Sequence, residues 1–220
     1  MSFKELQLIK PLLKAIAEQN YDAPTPVQQQ TIPLVFAKKD VITTAQTGTG
    51  KTAAFALPIL QMIFDKQDSG KRAKKIRALV VSPTRELGQQ IFKNLTDFSS
   101  KKPEISIACV VGGIPIKPQI ERLKKDTHVV IATPGRLIDL IQREAIDISK
   151  TSLLVLDEAD EMITVLKEGL DTIIASLPKE RRTLLFTATM PGSIKQMVQN
   201  YLSKHVVDIQ ADMETTGNQG

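Results

Sequence analysis

The residues best equipped for chemistry form the stretch Ala45-Gln46-Thr47-Gly48-Thr49-Gly50-Lys51-Thr52. An apolar run, Asp40-Val41-Ile42-Thr43-Thr44, precedes it and reads as a strand. A helical pattern, Ala53-Ala54-Phe55-Ala56-Leu57, follows it. Strand, glycine turn and helix start together make a phosphate cradle. Gly48 and Gly50 let backbone N–H groups approach a polyphosphate, and the helix start adds its positive dipole end. Lys51 can then reach the β- and γ-phosphates, and the Thr52 hydroxyl can ligate Mg²⁺. The common form of this loop has Gly where this chain has Ala45, a change that a strand end tolerates. The alternative is a chance Gly/Thr turn.

A second chemical cluster follows the apolar run Leu153-Leu154-Val155-Leu156, where the chain continues Asp157-Glu158-Ala159-Asp160. Beside a Mg·nucleotide, Asp157 can hold the metal through water, and Glu158 can orient or deprotonate the attacking water. The alternative use of these acids is to complement a helix dipole. Three further strand ends carry Pro83-Thr84-Arg85-Glu86-Leu87, Gly112-Gly113 and Thr133-Pro134-Gly135-Arg136. Exposed glycine amides, threonine hydroxyls and two arginines suit a sugar–phosphate backbone. With no Trp and 4% aromatics, stacking on bases has little support, so binding would be independent of sequence. Ordinary turn and capping chemistry accounts for these clusters equally well.

Positioning these clusters requires a sheet with its strand ends aligned. Short apolar strands are expected at 41–44, 78–81, 105–111, 128–132, 153–156, 183–187 and 206–209. Helices are expected at 3–19, 26–36, from the phosphate loop to about 64, and at 85–98, 117–125, 135–142, onward to 177, and 193–202. Continuous apolar strands alternating with helices indicate one doubly wound α/β domain, a mainly parallel sheet of about seven strands covered on both faces. In such sheets ligands gather beyond the carboxyl ends of the strands.

The bulk properties agree with a globular domain: 220 residues, 42% hydrophobic, 24% charged. No run approaches the ~18 apolar residues of a membrane span, and Met1 to Glu5 has no signal-peptide core, so the cytoplasm is the expected compartment. The lone Cys109 sits in an apolar run and is expected to be a buried thiol. One cysteine and two histidines argue against a zinc site. The net charge of +5 permits a polyanionic partner without requiring one. The densest basic stretch, Lys66 to Arg77, reads as a solvated loop, with a dedicated binding patch as the alternative.

Taken together these motifs resemble the DEAD-box RNA helicases, over nearly the whole chain, as the first RecA-like domain of such a protein. Asp157-Glu158-Ala159-Asp160 spells the family's name, and Tyr21-Asp22-Ala23-Pro24-Thr25-Pro26-Val27-Gln28 is similar to its Q motif, with Phe3 as the upstream aromatic. The resemblance implies that ATP or ADP with Mg²⁺ is the cofactor, bound by Thr47 to Thr52. Tyr21 would stack on adenine, and Gln28 would bond its edge. Lys51, Asp157 and Glu158 would be catalytic. It also implies contacts from Pro83, Thr84, Arg85, Gly112, Gly113, Thr133, Pro134, Gly135 and Arg136 to one RNA strand. Asp160, Thr187 and Thr189 would couple hydrolysis to strand separation. Four departures from the family pattern stand out: Thr187 for Ser, Gly88 for Ala, Arg182 for Gln, and no Gly-Phe between Met162 and Leu170.

Residues 1–210 are thus read as one ATP-binding domain, with the Q motif within 3–28 and residues 211–220 as a linker or frayed tail. The family's second RecA-like domain, which supplies arginine fingers, is not expected in the few residues after Ile209, so the chain reads as an excised first domain or a truncated form. Alone, the chain is expected to bind nucleotide but to hydrolyse and unwind almost nothing, since trans arginines contribute ~10³–10⁵ in rate in other nucleotide hydrolases. A DNA-directed translocase and a non-catalytic nucleotide-dependent clamp are the competing readings.

Overall fold

The computed structural model describes residues 1–67, 75–202 and 205–210, without the side chains of residues 66–67 and 164–168. Most of the basic stretch, and the tail from residue 211, lie outside the described residues.

Seven parallel strands form one sheet in the order β3-β4-β2-β5-β6-β1-β7. They are β1 (Val41–Thr44), β2 (Ala78–Val81), β3 (Ile107–Val110), β4 (Val129–Ala132), β5 (Leu153–Leu156), β6 (Arg182–Thr187) and β7 (Val207–Gln210). The helices are α1 (Lys10–Glu18), α2 (Pro26–Phe36), α3 (Lys51–Gln67), α4 (Arg85–Phe98), α5 (Ile116–Leu123), α6 (Pro134–Gln142), α7 (Ala159–Ala175) and α8 (Gly192–Tyr201). No described helix is long and apolar enough to cross a membrane.

The continuous apolar strands have a direct explanation: β2, β4 and β5 are buried at every residue. Because side chains alternate across a strand, Ala78, Val80, Leu153 and Val155 enter one core with α1 to α4. Leu79, Val81, Leu154 and Leu156 enter a second core with α5 to α8. The doubly wound architecture therefore follows from strands that must hide both faces.

Element bounds agree with the sequence reading to within about three residues, the largest difference being the end of α3 at Gln67 rather than 64, except at the amino terminus. There the helix expected from residue 3 begins at Lys10. Pro11 lies in its first turn, where its missing N–H costs nothing. Residues 3–7 form turns instead, with Gln7 at φ 58°. Phe3 and Leu6 are buried all the same, so the apolar spacing marked a packed segment rather than a helix.

Arg182, at the start of β6, donates from Nη1 to the Val35 carbonyl at 3.2 Å, near the carboxyl end of α2. Asp40 accepts from the Thr183 N–H at 2.8 Å, and its own carbonyl accepts from Val207 N. These contacts tie the start of β1 to its two neighbours, β6 and β7. Cys109 is half-buried on β3, and burial raises its thiol pKa to about 11, far from a reactive thiolate.

Candidate functional site

The sheet order decides what can meet at the carboxyl rim. β1 and β5 flank β6, so the glycine loop after β1 and the acids after β5 stand two strand spacings apart, roughly 10 Å. On the far side of β5 lie β2, β4 and β3 in turn, the strands that deliver the three glycine, threonine and arginine clusters. One half of the rim therefore collects the phosphate loop, the acids and Thr187 to Thr189, and the other half collects the remaining motifs.

In the first half, Gly48 and Gly50 adopt φ +86° and +84°, the left-handed region that favours glycine. A Cβ on Gly50 would also fall 2.5 Å from Gln28 Nε2 and 2.9 Å from Thr25 Oγ1. That close approach is used. Thr25 Oγ1 donates to the Thr49 carbonyl at 2.8 Å, and Gln28 Nε2 donates to the Gly50 carbonyl at 3.1 Å. Thr25 and Gln28 also form a reciprocal cap at the start of α2. The fully buried Gln28 thus clamps the loop, a tie that sequence reasoning missed, although Thr-x-x-Gln is itself a capping signature. Tyr21 is exposed and packs edge-on against Phe98 at 5.7 Å. Phe3 is buried in the core.

Lys51 is buried and donates from Nζ to the Ala45 carbonyl at 3.3 Å. Thr47 and Gly48 are exposed, and Thr52 is partly so, in the first turn of α3. Asp157 is 3% exposed. Burial raises its pKa to about 6; Lys51 pulls it down, and Glu158 pushes it further up. Glu158 is also raised, first by burial and then by Glu161, and Lys51 again opposes the shift. Lys51 is therefore close enough to act electrostatically on both acids. Glu158 sits at φ 52°, ψ 52°, left-handed for a non-glycine residue, at the point where β5 turns into α7. Such backbone costs on the order of 1–3 kcal/mol and clusters at functional sites.

Asp160 links this half to β6. Burial works against its charge, but hydrogen bonding, chiefly from Thr189, outweighs burial and holds its pKa below the usual range. Its Oδ2 accepts from Thr189 N at 3.0 Å and Oγ1 at 2.8 Å, while Thr187 Oγ1 donates to the Thr189 carbonyl at 2.7 Å. The extra methyl of Thr187 is fully buried. α7 runs unbroken from Ala159 to Ala175 although the family's Gly-Phe is missing.

In the second half, Thr84 caps α4 by accepting from Leu87 N at 3.2 Å. Arg85 donates through Nε and Nη2 to Glu86, at 3.2 and 3.0 Å. Gly112 N donates to Thr133 Oγ1 at 3.1 Å, and Arg136 Nη2 donates to the Ile114 carbonyl at 2.9 Å. Gly113, at φ +77°, comes so close to Arg85 that a Cβ would lie 3.2 Å from Nη1. Pro83 precedes α4, while Pro134 and Gly135 open α6. The three clusters, separate in sequence, form one surface.

As a donor set, a buried lysine, a hydroxyl at a helix start and a buried carboxylate fit a polyphosphate with Mg²⁺. That ion takes one or two carboxylates and completes its shell with phosphate and water oxygens. The fold and this rim define a RecA-like P-loop domain. The profile of the DEAD/DEAH box helicase family matches residues 25–197, and the chain belongs to that family. It is 44% identical over 218 residues to the DEAD-box ATP-dependent RNA helicase CshA of Streptococcus pneumoniae, covering 98% of this chain and 40% of that protein. It is 39% identical to the ATP-dependent RNA helicase DeaD of Escherichia coli K12, covering 97% of this chain and 33% of that one. A DEAD box protein from Methanococcus jannaschii superposes with a TM-score of 0.86 at 33% identity, covering 96% of this chain and 56% of that one. The chain thus spans between a third and three fifths of the length of these relatives.

Proposed function

We propose that this chain is the ATP-binding and RNA-contacting domain of an ATP-dependent RNA helicase that separates short duplexes or remodels RNA–protein complexes. The observation that carries this reading is the sheet order, which sets the loop of the buried Lys51 after β1 and the acids Asp157 and Glu158 after β5 on either side of β6 at one rim. Relatives named as ATP-dependent RNA helicases support the same assignment. In this reading Thr47 to Thr52 cradle the phosphates, with Lys51 on the β- and γ-oxygens. Tyr21 stacks on adenine, and Gln28, buried here on Thr25 and Gly50, recognises its edge once its amide turns from the loop. Thr52 and Asp157 would hold Mg²⁺, Asp157 through water, and the bound ion would supply positive charge beside the phosphates. Glu158 orients the attacking water. Asp160, Thr187 and Thr189 transmit the state of the nucleotide along the end of β6.

The second half of the rim grips one RNA strand through Pro83 to Arg85, Gly112-Gly113 and Thr133 to Arg136. Backbone amides and guanidinium groups recognise phosphate and sugar and leave the base sequence unread. Residues 1–210 form the domain, and residues from 211 lead toward a second RecA-like domain that supplies arginines in trans. The 220-residue chain on its own therefore binds ATP or ADP but turns over slowly. RNA-stimulated ATPase measured on the chain alone tests this, and robust turnover would refute the need for a partner domain. Comparing RNA with DNA as stimulant in the two-domain protein separates this reading from a DNA translocase. Full activity of a Glu158→Gln variant there would instead favour a non-catalytic clamp.

A further inference from the structure

Among the described residues β3 is an outer strand, paired only with β4. In a strand, the N–H and C=O of one residue point to one side and those of the next residue to the other. The Val110 carbonyl accepts from Thr133 N at 3.2 Å, on the β4 side. The backbone of Val111 therefore points outward, where the sheet offers no partner. Both of its groups are nevertheless satisfied. Gln119 Oε1 accepts from Val111 N at 3.1 Å, and Gln119 Nε2 donates to the Val111 carbonyl at 3.1 Å. The same Nε2 donates to the Pro115 carbonyl at 3.3 Å. One side chain of α5 does the work of a neighbouring strand.

This demand on residue type is narrow. Gln119 is only 6% exposed, so water cannot readily take its place. A carboxylate of the same length offers acceptors but no donor, and a hydrocarbon offers neither. What Gln119 pins is the residue immediately before Gly112-Gly113. That turn bonds Thr133, is braced by Arg136 at Ile114, and lies against Arg85. Two consecutive glycines lose more conformational entropy than any other pair when they are ordered. A turn already ordered in the free protein leaves less of that cost to be met on binding.

We propose that Gln119 is a positioning residue that acts as a surrogate edge-strand partner and holds the Gly112-Gly113 turn in its RNA-accepting shape. The proposal rests on the reading of this half of the rim as the RNA face. The test is fluorescence anisotropy of a labelled short single-stranded RNA with the 220-residue chain at low ionic strength. Gln119→Glu and Gln119→Met are each expected to weaken RNA binding about tenfold or more at neutral pH, with affinity for a fluorescent ADP·Mg kept within about twofold. Lowering the pH should restore Gln119→Glu relative to wild type but not Gln119→Met, because a protonated carboxyl again offers one donor and one acceptor. Unchanged RNA affinity in both variants overturns the proposal. An Arg85→Ala/Arg136→Ala double variant serves as reference. If it too binds RNA normally, the RNA reading fails and takes the proposal with it; if it alone loses RNA, only the role of Gln119 falls. Should the Gln119 variants not fold, hydrogen exchange on the wild-type chain decides. A Val111 amide protected about a hundredfold or more supports the surrogate strand, and exchange at the rate of a free edge amide overturns it.

Discussion

On the β1–β6–β5 side of the rim a set of amide, charged and hydroxyl side chains is buried, with Tyr21 and Thr47 exposed beside it, whereas on the β2–β4–β3 side Thr133 and Pro134 are buried and the other candidate residues are partly or fully exposed. Gln28, Lys51, Asp157 and Thr187 are each less than 9% accessible, while Thr84, Arg85, Gly113 and Gly135 stand in solvent. The buried half gathers opposite charges at close quarters, and burial drives Asp157 and Glu158 toward their neutral forms. The other half meets its groups with the Ile114 carbonyl, the Thr84 and Thr133 hydroxyls, the Gln119 amide and one surface ion pair. A buried half can discriminate, because every unsatisfied group there is costly. An exposed half of amides and guanidinium groups can hold any strand that brings phosphates. The contrast predicts steep, all-or-none consequences on one side and graded, salt-sensitive ones on the other.

Lys51→Ala should break the contrast most severely. It removes the proposed phosphate ligand and leaves the buried Asp157 and the partly buried Glu158 without the cation that opposes their pKa rise. ADP·Mg affinity is expected to fall a hundredfold or more by calorimetry, with RNA affinity at low salt nearly unchanged. Equal losses of both ligands would mean that the halves are not separable.

Asp157→Asn sharpens the comparison by separating function from stability. The Asp157 pKa rises from its model-compound value of 3.8 to about 6 on folding. Between those values the native state binds more protons than the unfolded one, so this residue's contribution to stability declines as pH rises through the window. Above pH 6 the ionised carboxylate costs up to about 3 kcal/mol. Asn removes that cost, so Tm at neutral pH should rise by roughly 5–10 °C. The gain should vanish below about pH 4 in a thermal-melt series. Nucleotide-dependent stabilisation should be lost at the same time. A variant less stable than wild type at neutral pH would show that Asp157 is not strained by burial.

The legible part of this molecule was the part written in local pattern. Continuous apolar runs such as Leu153 to Leu156 announced two-sided burial, and the glycine loop with its lysine announced the rim. Less legible were contacts that join distant residues through side-chain amides. Gln119 lies in an expected helix whose apolar spacing, Ile116, Ile120 and Leu123, passes it by, and only the register of β3 gives it a role. The clamp of Thr25 and Gln28 on residues 49 and 50 links segments more than 20 positions apart. The amino-terminal helix was overextended because Leu6 and Ile9 pack at helical spacing along a segment of turns. The spatial union of Gly113 with Arg85 depends on β4 being inserted between β3 and β2, an order that sequence cannot supply.

Arg85→Ala should be graded. If Arg85 holds one RNA phosphate as proposed, its loss should weaken RNA binding severalfold and reduce the slope of log K against log salt by roughly 0.7. Nucleotide affinity should not move. A salt slope unchanged in this variant would place the phosphate contact elsewhere.

Gly88→Ala should be the smallest effect and tests how tightly the exposed half is backed by the core. Gly88 lies in the first turns of α4, so alanine gains about 1 kcal/mol of helix propensity. The new Cβ, however, would sit 3.1 Å from Ser82 Oγ and 3.2 Å from Val111 Cγ1, contacts that require a shift of a few tenths of an ångström. Ser82 can turn its hydroxyl aside, but Val111 is the residue that Gln119 grips on its other side. The two terms nearly cancel, and the net change in stability should lie within about 1 kcal/mol by chemical denaturation. The informative readout is RNA affinity at fixed stability. If the turn is as firmly held as its hydrogen bonds indicate, the strain passes through Val111 to Gly112, and RNA binding weakens about two- to threefold. If the turn is loose, Val111 yields, the helix gain remains, and RNA affinity stays at the wild-type value.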